Sequence, residues 1–223
     1  LGGDTNTGPG TSISVTGLAT IKYSKPLLRK PLLPGDLIYS TGKLGVGNAF
    51  AYNKFFNQGN DVKYFPVARL RESRLIKNFA ISCIDTSDGL FPALSVLCEL
   101  NKVGIHLNLP VQEMLCDKTT KICKEAEVPA WIFLAGPHGE YELLFSITAN
   151  EGSQFERDCR ENNWQPLLIG EAISDQVIQF DSEDLHITSG SAEIANLYED
   201  AGKDVNQYFK MLMGKHKKWC KNG

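Results

Sequence analysis

The stretch AISCIDTSDGLFPAL, residues 80–94, places two aspartates, a serine and a glycine between two apolar runs. AISCID has the composition of a buried strand, and the residues from Leu90 onward have that of a buried helix. The chain must therefore change direction within Asp85–Gly89. Crevices at the carboxyl ends of strands are common binding sites in proteins that alternate strands and helices.

Two interpretations of this turn are open from its residues alone. Ser87 or Asp88 can cap the following helix, with Gly89 easing the turn. That interpretation leaves Asp85 unexplained. If the helix instead begins near Ser87, Asp85 and Asp88 can point into one space beside free N–H groups, which bind phosphate. Carboxylates beside a phosphate require a hard cation between them, usually Mg²⁺.

Two further stretches combine glycine with polar side chains. GGDTNTGPG, at the start of the chain, offers Asp4 and threonine oxygens beside glycines that allow close backbone approach. GPHGEYELLF places His138 and Glu140 at the entrance of a predicted strand. By itself, the first stretch is better explained as a surface turn, and a lone histidine such as His138 is more often a loop residue than a catalyst.

Composition excludes several classes of function. The formal net charge of −3 argues against a nucleic-acid partner, and no apolar run reaches the length of a membrane span. No signal peptide is visible, and the six cysteines lack the spacing of a metal site. We therefore predict reduced thiols and a cytoplasmic protein without a membrane or nucleic-acid partner.

Strand and helix patterns interleave along the chain without a strict alternation. LIYSTG, AISCID, VGIHLNL, AWIFLAG, YELLFSI, QPLLIGEAI and QVIQFD are predicted strands, and amphipathic or apolar segments between them are predicted helices. This order predicts an α+β fold, with a mixed sheet and helices packed on one face.

Four motifs in this order resemble one family. GGDT, RKPLLPGDLIYSTGKLG, IDTSDGL and GEYELLF are similar to the signatures of thiamine-monophosphate kinase, in the superfamily of aminoimidazole ribonucleotide synthetase. The resemblance extends from Leu1 to about Phe145. It implies a fold like the C-terminal domain of that superfamily.

The resemblance also implies roles for individual residues. Asp4, Asp85 and Asp88 would bind Mg²⁺, and Ser87 would contact ATP. Arg29 corresponds to an arginine that contacts ATP, so Arg29 and Asp88 would be catalytic. His138 and Glu140 would lie near the substrate.

The implied reaction transfers the γ-phosphoryl group of ATP to thiamine monophosphate, a small phosphorylated substrate. Such a transfer depends on positioning and charge neutralisation rather than covalent chemistry. The resemblance further implies that residues 1–21 are the last loop and strand of an N-terminal ATP-binding domain, and that residues 22–223 form the C-terminal α+β domain. We expect a homodimer in the full-length protein and an inactive fragment without the first domain.

The GEYELLF motif departs from the family. The family's substrate-contacting glutamate falls on Gly139, which has no side chain, while Glu140 replaces an aspartate and His138 is new. Two alternatives to a kinase therefore stay open. One is an ATP-dependent ligase or dehydratase of the same superfamily, as in aminoimidazole ribonucleotide synthesis or hydrogenase maturation. The other is a non-catalytic binding module.

Overall fold

The sheet positions every part of the candidate site. The computed structural model describes residues 26–56, 64–181 and 186–220, together with positions 16, 18 and 20. Seven strands of the described residues form one sheet: β1 (Leu37–Ser40), β2 (Ser82–Asp85), β3 (Gly104–Leu107), β4 (Leu143–Ile147), β5 (Leu167–Ile173), β6 (Val177–Asp181) and β7 (His186–Gly190).

The strand order is β2-β4-β1-β5-β3-β6-β7, with β2 and β7 at the edges. The β3–β6 pair is parallel and the other pairs are antiparallel. The sheet is therefore mixed, and the predicted α+β class is confirmed. The β7 strand was not predicted from the sequence.

The helices of the described residues connect these strands. They are α1 (Val46–Phe56), α2 (Leu70–Phe79), α3 (Leu90–Asn101), α4 (Val111–Met114), α5 (Asp117–Ala126), α6 (Ile132–Ala135), α7 (Ala149–Glu161), α8 (Ser191–Ala195), α9 (Leu197–Asp200) and α10 (Val205–Trp219).

The larger core lies between one face of the sheet and most of the helices. Ile38 and Leu144 point to this face, where they join a buried cluster that includes Leu94 of α3 and Leu212 of α10. Alternate residues of a strand point to opposite faces, so their neighbours Tyr39 and Phe145 must face the other way. The predicted layer of helices on one face is present.

A smaller second layer covers the other face at the β2–β4–β1 end. Tyr39 and Phe145 pack there against Ile76 of α2 and Phe155 of α7. The Phe155 ring lies 5.3 Å from the Tyr39 ring and 5.5 Å from the Phe145 ring, centroid to centroid, both edge-on. This layer, which the sequence did not predict, holds α2 against the end of the sheet where β2 lies.

The segment AWIFLAG was predicted to be a strand and that prediction was wrong. Ile132–Ala135 form the short helix α6, in which all four side chains are buried. The Ile132 N–H donates to the Pro129 carbonyl at 3.1 Å, which starts the turn. A short, uninterrupted apolar run has no periodicity that separates a strand from a buried helix.

Other sequence expectations have simpler outcomes. Among the described residues, no helix is long and apolar enough to cross a membrane. All six cysteines lie in the described part of the chain, and all are free thiols. Neither finding tests the predicted cellular location. Asp4 and most of residues 1–21 lie outside the described residues, so the predicted domain division stays a prediction.

Candidate functional site

The turn between β2 and α3 does not have the geometry of a side-chain cap. Helix α3 begins at Leu90, and its N-cap is Gly89, which has no side chain to bond the helix start. Gly89 has φ +93°, a conformation that glycine adopts without strain. Neither Ser87 nor Asp88 caps the helix in this structure, so the capping interpretation of these polar residues is wrong.

The carboxylate of Asp85 is exposed at the end of β2. Its Oδ2 accepts the Ser87 N–H at 3.2 Å. Hydrogen bonding from the Ser87 side chain, with the Ser87 N–H and the charge of Arg29 in support, lowers the pKa of Asp85 against an opposing effect of burial. Asp85 is therefore ionised near neutral pH, the state in which a carboxylate binds a metal ion.

Arg29 and Asp85 both line an open cleft of about 720 Å³. The Cys83 N–H of β2 donates to the Leu28 carbonyl at 2.8 Å, which fixes the segment before Arg29 along the edge of the sheet. The side chain of Asn101, at the end of α3, donates to the Arg29 carbonyl at 3.1 Å. These contacts hold a residue that is distant in sequence beside the turn.

The same cleft contains two cations that the sequence analysis missed, Lys30 and Lys77. Lys30 follows Arg29 directly in the RKPLLPGD motif, and this adjacency was a usable signal. Lys77 lies in the last turn of α2 and has no motif around it. Only the packing of α2 against the sheet brings Lys77 to the cleft.

The loop Gly136–Glu142 packs directly against the turn. The Gly139 N–H donates to the Ser87 carbonyl at 3.1 Å, and the Glu140 N–H donates to the Thr86 carbonyl at 3.2 Å. A Cβ atom on Gly139 would lie 1.8 Å from the Thr86 carbonyl oxygen. This backbone therefore has no room for a glutamate at position 139.

The carboxylate of Glu140 is buried and faces the start of α1. It accepts the Gly47 N–H at 2.8 Å. Burial raises the pKa of Glu140 to about 7, although hydrogen bonds from the backbone at the start of α1 partly oppose the shift. Glu140 does not line the cleft that contains Arg29 and Asp85.

The ring of His138 lies in a different environment from the cleft. It is 5.9 Å from the Phe55 ring, centroid to centroid, beside an aromatic cavity between α1 and α10 that Tyr52 and Phe209 also line. Burial lowers the pKa of His138, which favours the neutral imidazole. The structure thus brings Arg29 and Asp85 together in one cleft, and directs His138 and Glu140 elsewhere.

A buried ion pair next to this loop was also missed from the sequence. Glu142, 7% exposed, receives a two-pronged contact from the Arg69 guanidinium, in which Nε lies 2.7 Å from Oε2. The Thr41 hydroxyl donates to the same carboxylate. Hydrogen bonding to Glu142 raises the pKa of Arg69. This network ties the start of β4 to the segment before α2.

The carboxylate oxygens of the turn suit a magnesium ion whose other ligands are phosphate oxygens and water. Asp85 and Asp88 are both exposed and supply hard oxygen donors. Within the described ranges, no group of three or more metal-binding side chains is assembled. Mg²⁺ usually takes one or two protein carboxylates and completes its shell with phosphate oxygens and water, so two carboxylates are sufficient.

Several solved structures share this fold. A thiamine-monophosphate kinase from Stenotrophomonas maltophilia superimposes with a TM-score of 0.58 at 20% identity, covering 70% of this chain and 53% of that one. The hydrogenase maturation protein HypE of E. coli superimposes with a TM-score of 0.59 at 16% identity, covering 73% and 52%. AaThiL complexed with AMPPCP and TMP gives a TM-score of 0.54 at 17% identity, covering 73% and 53%.

Sequence comparison finds thiamine-monophosphate kinases among the relatives of this chain. The thiamine-monophosphate kinase of Buchnera aphidicola subsp. Schizaphis graminum is 33% identical over 161 residues, covering 66% of this chain and 48% of that protein. The thiamine-monophosphate kinase of Pyrococcus horikoshii is 32% identical over 157 residues, covering 66% and 47%. No protein-family model matches the chain.

The predicted resemblance is therefore confirmed: the chain is related to the thiamine-monophosphate kinases and shares their fold. It spans about half the length of the curated relatives that it matches.

Proposed function

We propose that the chain is part of an ATP- and Mg²⁺-dependent phosphotransferase whose acceptor is thiamine monophosphate and whose product is thiamine diphosphate. The observation that carries this proposal is the cleft in which Arg29 lies beside the ionised carboxylate of Asp85. The sequence relatives named thiamine-monophosphate kinase support the reaction, and the related complex with AMPPCP supports a nucleotide as the phosphate donor.

The residues of the turn would divide the work between metal and phosphate. Asp85 and Asp88 would bind Mg²⁺ together with Asp4, and the metal would neutralise phosphate charge. Arg29 would bind and orient phosphate oxygens, because a guanidinium donates to two of them at once. Ser87, one residue before Asp88, would contact the nucleotide phosphate.

His138 and Glu140 are the residues expected near the acceptor. Glu140 already bonds the start of α1, so its carboxylate is engaged within the fold. His138 is neutral and lies beside aromatic rings, which suits contact with an acceptor ring more than with its phosphate. We propose that Gly139 replaces the family's glutamate because the Thr86 carbonyl occupies the space of a side chain.

The whole-protein features implied by the resemblance are part of the same proposal. They comprise an N-terminal ATP-binding domain, a homodimer and a cytoplasmic location. Since the chain spans about half of its relatives, we expect the 223 residues alone to be inactive.

The test is an assay with ATP, Mg²⁺ and thiamine monophosphate that follows ADP, free phosphate and thiamine diphosphate in the same samples. The polypeptides are the 223-residue chain and the complete reading frame that encodes it. Formation of ADP and thiamine diphosphate in equal amounts supports the proposal. Release of free phosphate without thiamine diphosphate indicates a ligase or dehydratase instead. No nucleotide turnover by folded protein in either form indicates a non-catalytic binding module.

A further inference from the structure

The cleft beside Asp85 has an excess of positive charge. Among the described residues, Arg29, Lys30 and Lys77 line it together with a single carboxylate, Asp85. None of the three cations forms an ion pair within 4.0 Å with a carboxylate of the described residues, in contrast to lysines such as Lys43 and Lys203 elsewhere. Like charges that converge without partners favour the binding of an anion.

The cleft also has an apolar part. Besides the charged residues, the lining includes Leu27, Ile84, Leu100 and Leu143. A cleft lined by both cations and apolar residues suits a ligand that carries phosphate at one end and an organic group at the other. Inorganic phosphate alone would leave the apolar residues in contact with water.

Packing fixes the part of α2 that carries Lys77. The preceding residue, Ile76, is 1% exposed and belongs to the small core with Tyr39 and Phe155. The Lys77 side chain is exposed, so it does not contribute to that core. The backbone of Lys77 is thus held rigidly while its ammonium group can reach a ligand in the cleft.

We propose that Lys77 binds phosphate oxygens of the phosphorylated ligand in this cleft, next to Arg29. The inference rests on the proposed function. It assigns to the site a residue of α2, whereas the sequence motifs of the site lie on other segments. Lys77 acts as a point charge on the phosphate, and Asp85 lies in the same cleft where the metal would sit. The ligand is either the nucleotide or the phosphorylated acceptor.

The experiment compares Lys77→Ala with Arg71→Ala by isothermal titration calorimetry. Arg71 is an exposed cation on the same helix that lines a different groove, with Trp164, so its removal changes the net charge equally without touching the cleft. Each protein is titrated with AMPPCP in the presence of Mg²⁺ and, separately, with thiamine monophosphate. A third variant, Lys77→Arg, restores the charge.

We expect Lys77→Ala to weaken one of the two ligands about tenfold or more, since a hydrogen bond to a charged group is being removed. Arg71→Ala should bind as wild type, Lys77→Arg should recover most of the affinity, and the thermal midpoints should agree. The weakened ligand identifies the source of the phosphate.

Unchanged affinity of Lys77→Ala for both ligands, with Arg29→Ala weakened, would overturn the assignment of Lys77 and leave the proposed function intact. A wild-type protein that binds neither ligand, in the chain or in the complete reading frame, would overturn both.

Discussion

The acidic residues of two neighbouring motifs have opposite surroundings. Asp85 and Asp88 are exposed on the turn after β2, where Asp85 shares a cleft with cations that form no ion pair with a described residue. Glu140 and Glu142, on the loop that packs against this turn, are 5% and 7% exposed and bond the start of α1 and the guanidinium of Arg69. Each motif carries two acidic residues, but one pair of carboxylates is available to ligands and the other stabilises the fold.

Burial and partners distinguish carboxylates that can bind a ligand from carboxylates that stabilise the fold. A buried carboxylate persists only with partners, since an unpaired buried charge is costly. An exposed carboxylate has no such structural requirement. Removing an exposed carboxylate should therefore change activity and leave stability unchanged, while removing a buried one should do the reverse.

The largest effect should come from Asp85→Asn. Under the proposed function, loss of a metal-binding charge should lower kcat by about 100-fold or more, equivalent to ~3 kcal/mol in the barrier. The asparagine oxygen can still accept the Ser87 N–H, so the free energy of unfolding should change by less than about 0.5 kcal/mol. Steady-state kinetics of the complete reading frame at several Mg²⁺ concentrations measure the first quantity, and urea denaturation measures the second. A stable variant with full activity would remove Asp85 from the metal site.

The opposite pattern is expected for Glu142→Gln. The substitution leaves Arg69, whose side chain is 24% exposed, with Glu72 at 3.6 Å as its charged partner among the described residues. Loss of the two-pronged contact with the buried carboxylate should cost about 2–3 kcal/mol in the free energy of unfolding. Chemical denaturation measures the loss. The matched control is Asp117→Asn, whose pair with Lys43 is solvent-exposed on both sides and should contribute nothing measurable. Equal effects of the two substitutions would contradict the distinction between buried and exposed carboxylates.

The pH dependence of stability should reveal Glu140. Its pKa is raised from 4.5 to about 7 in the folded protein, so the folded state holds a proton that the unfolded state loses. Stability should therefore fall as pH rises from about 4.5 to about 7, by about 1.4 kcal/mol per pH unit and ~3 kcal/mol in all at most.

Glu140→Gln should flatten this slope in urea titrations between pH 5 and pH 7, a window of about two units within the range of the pKa shift. The amide can still accept the Gly47 N–H through its oxygen. An unchanged slope would mean that Glu140 is ionised in the folded state despite its burial.

The smallest effect concerns the contact between loop and turn. Gly139→Ala would place a Cβ atom 1.8 Å from the Thr86 carbonyl oxygen, so the two segments must separate. We expect a loss of about 2 kcal/mol in the free energy of unfolding, as for overpacking elsewhere. Gly214→Ala in α10 is the control, because nothing outside the neighbouring residues and backbone of its own helix lies within 4 Å of its Cβ position. There alanine should stabilise by about 0.5–1 kcal/mol. Thermal unfolding of both variants decides whether the contact is tight.

Much of the fold was predictable from local patterns. The strands around Ile38, Ile84 and Leu144 lie in short apolar runs that contain β-branched or aromatic residues, and α3 begins after a glycine that permits the turn. Asp85 was identified because an acid that ends an apolar run lacks a local structural reason. These features depend on residues within a few positions of one another, so the sequence displays them directly.

Other features depend on contacts between residues far apart in the chain. The helical state of Ile132–Ala135 and the second layer formed by α2 and α7 depend on packing partners that no local pattern reports. Likewise, GPHGEYELLF does not indicate that the Glu140 carboxylate faces Gly47 and not a ligand.

The candidate site also combines features that are visible in short stretches of sequence with features that depend on long-range contacts. The polar turn, its carboxylates and the RKPLLPGD motif with Arg29 were recognisable from the sequence, because each is a short run of residues whose chemistry is visible as written. That Arg29 and Lys77 meet Asp85 in one cleft could be seen only in the folded protein, since the sheet edge and the packing of α2 place them there. A side chain's chemistry is local, whereas its direction and its neighbours are set by the packing of the whole sheet.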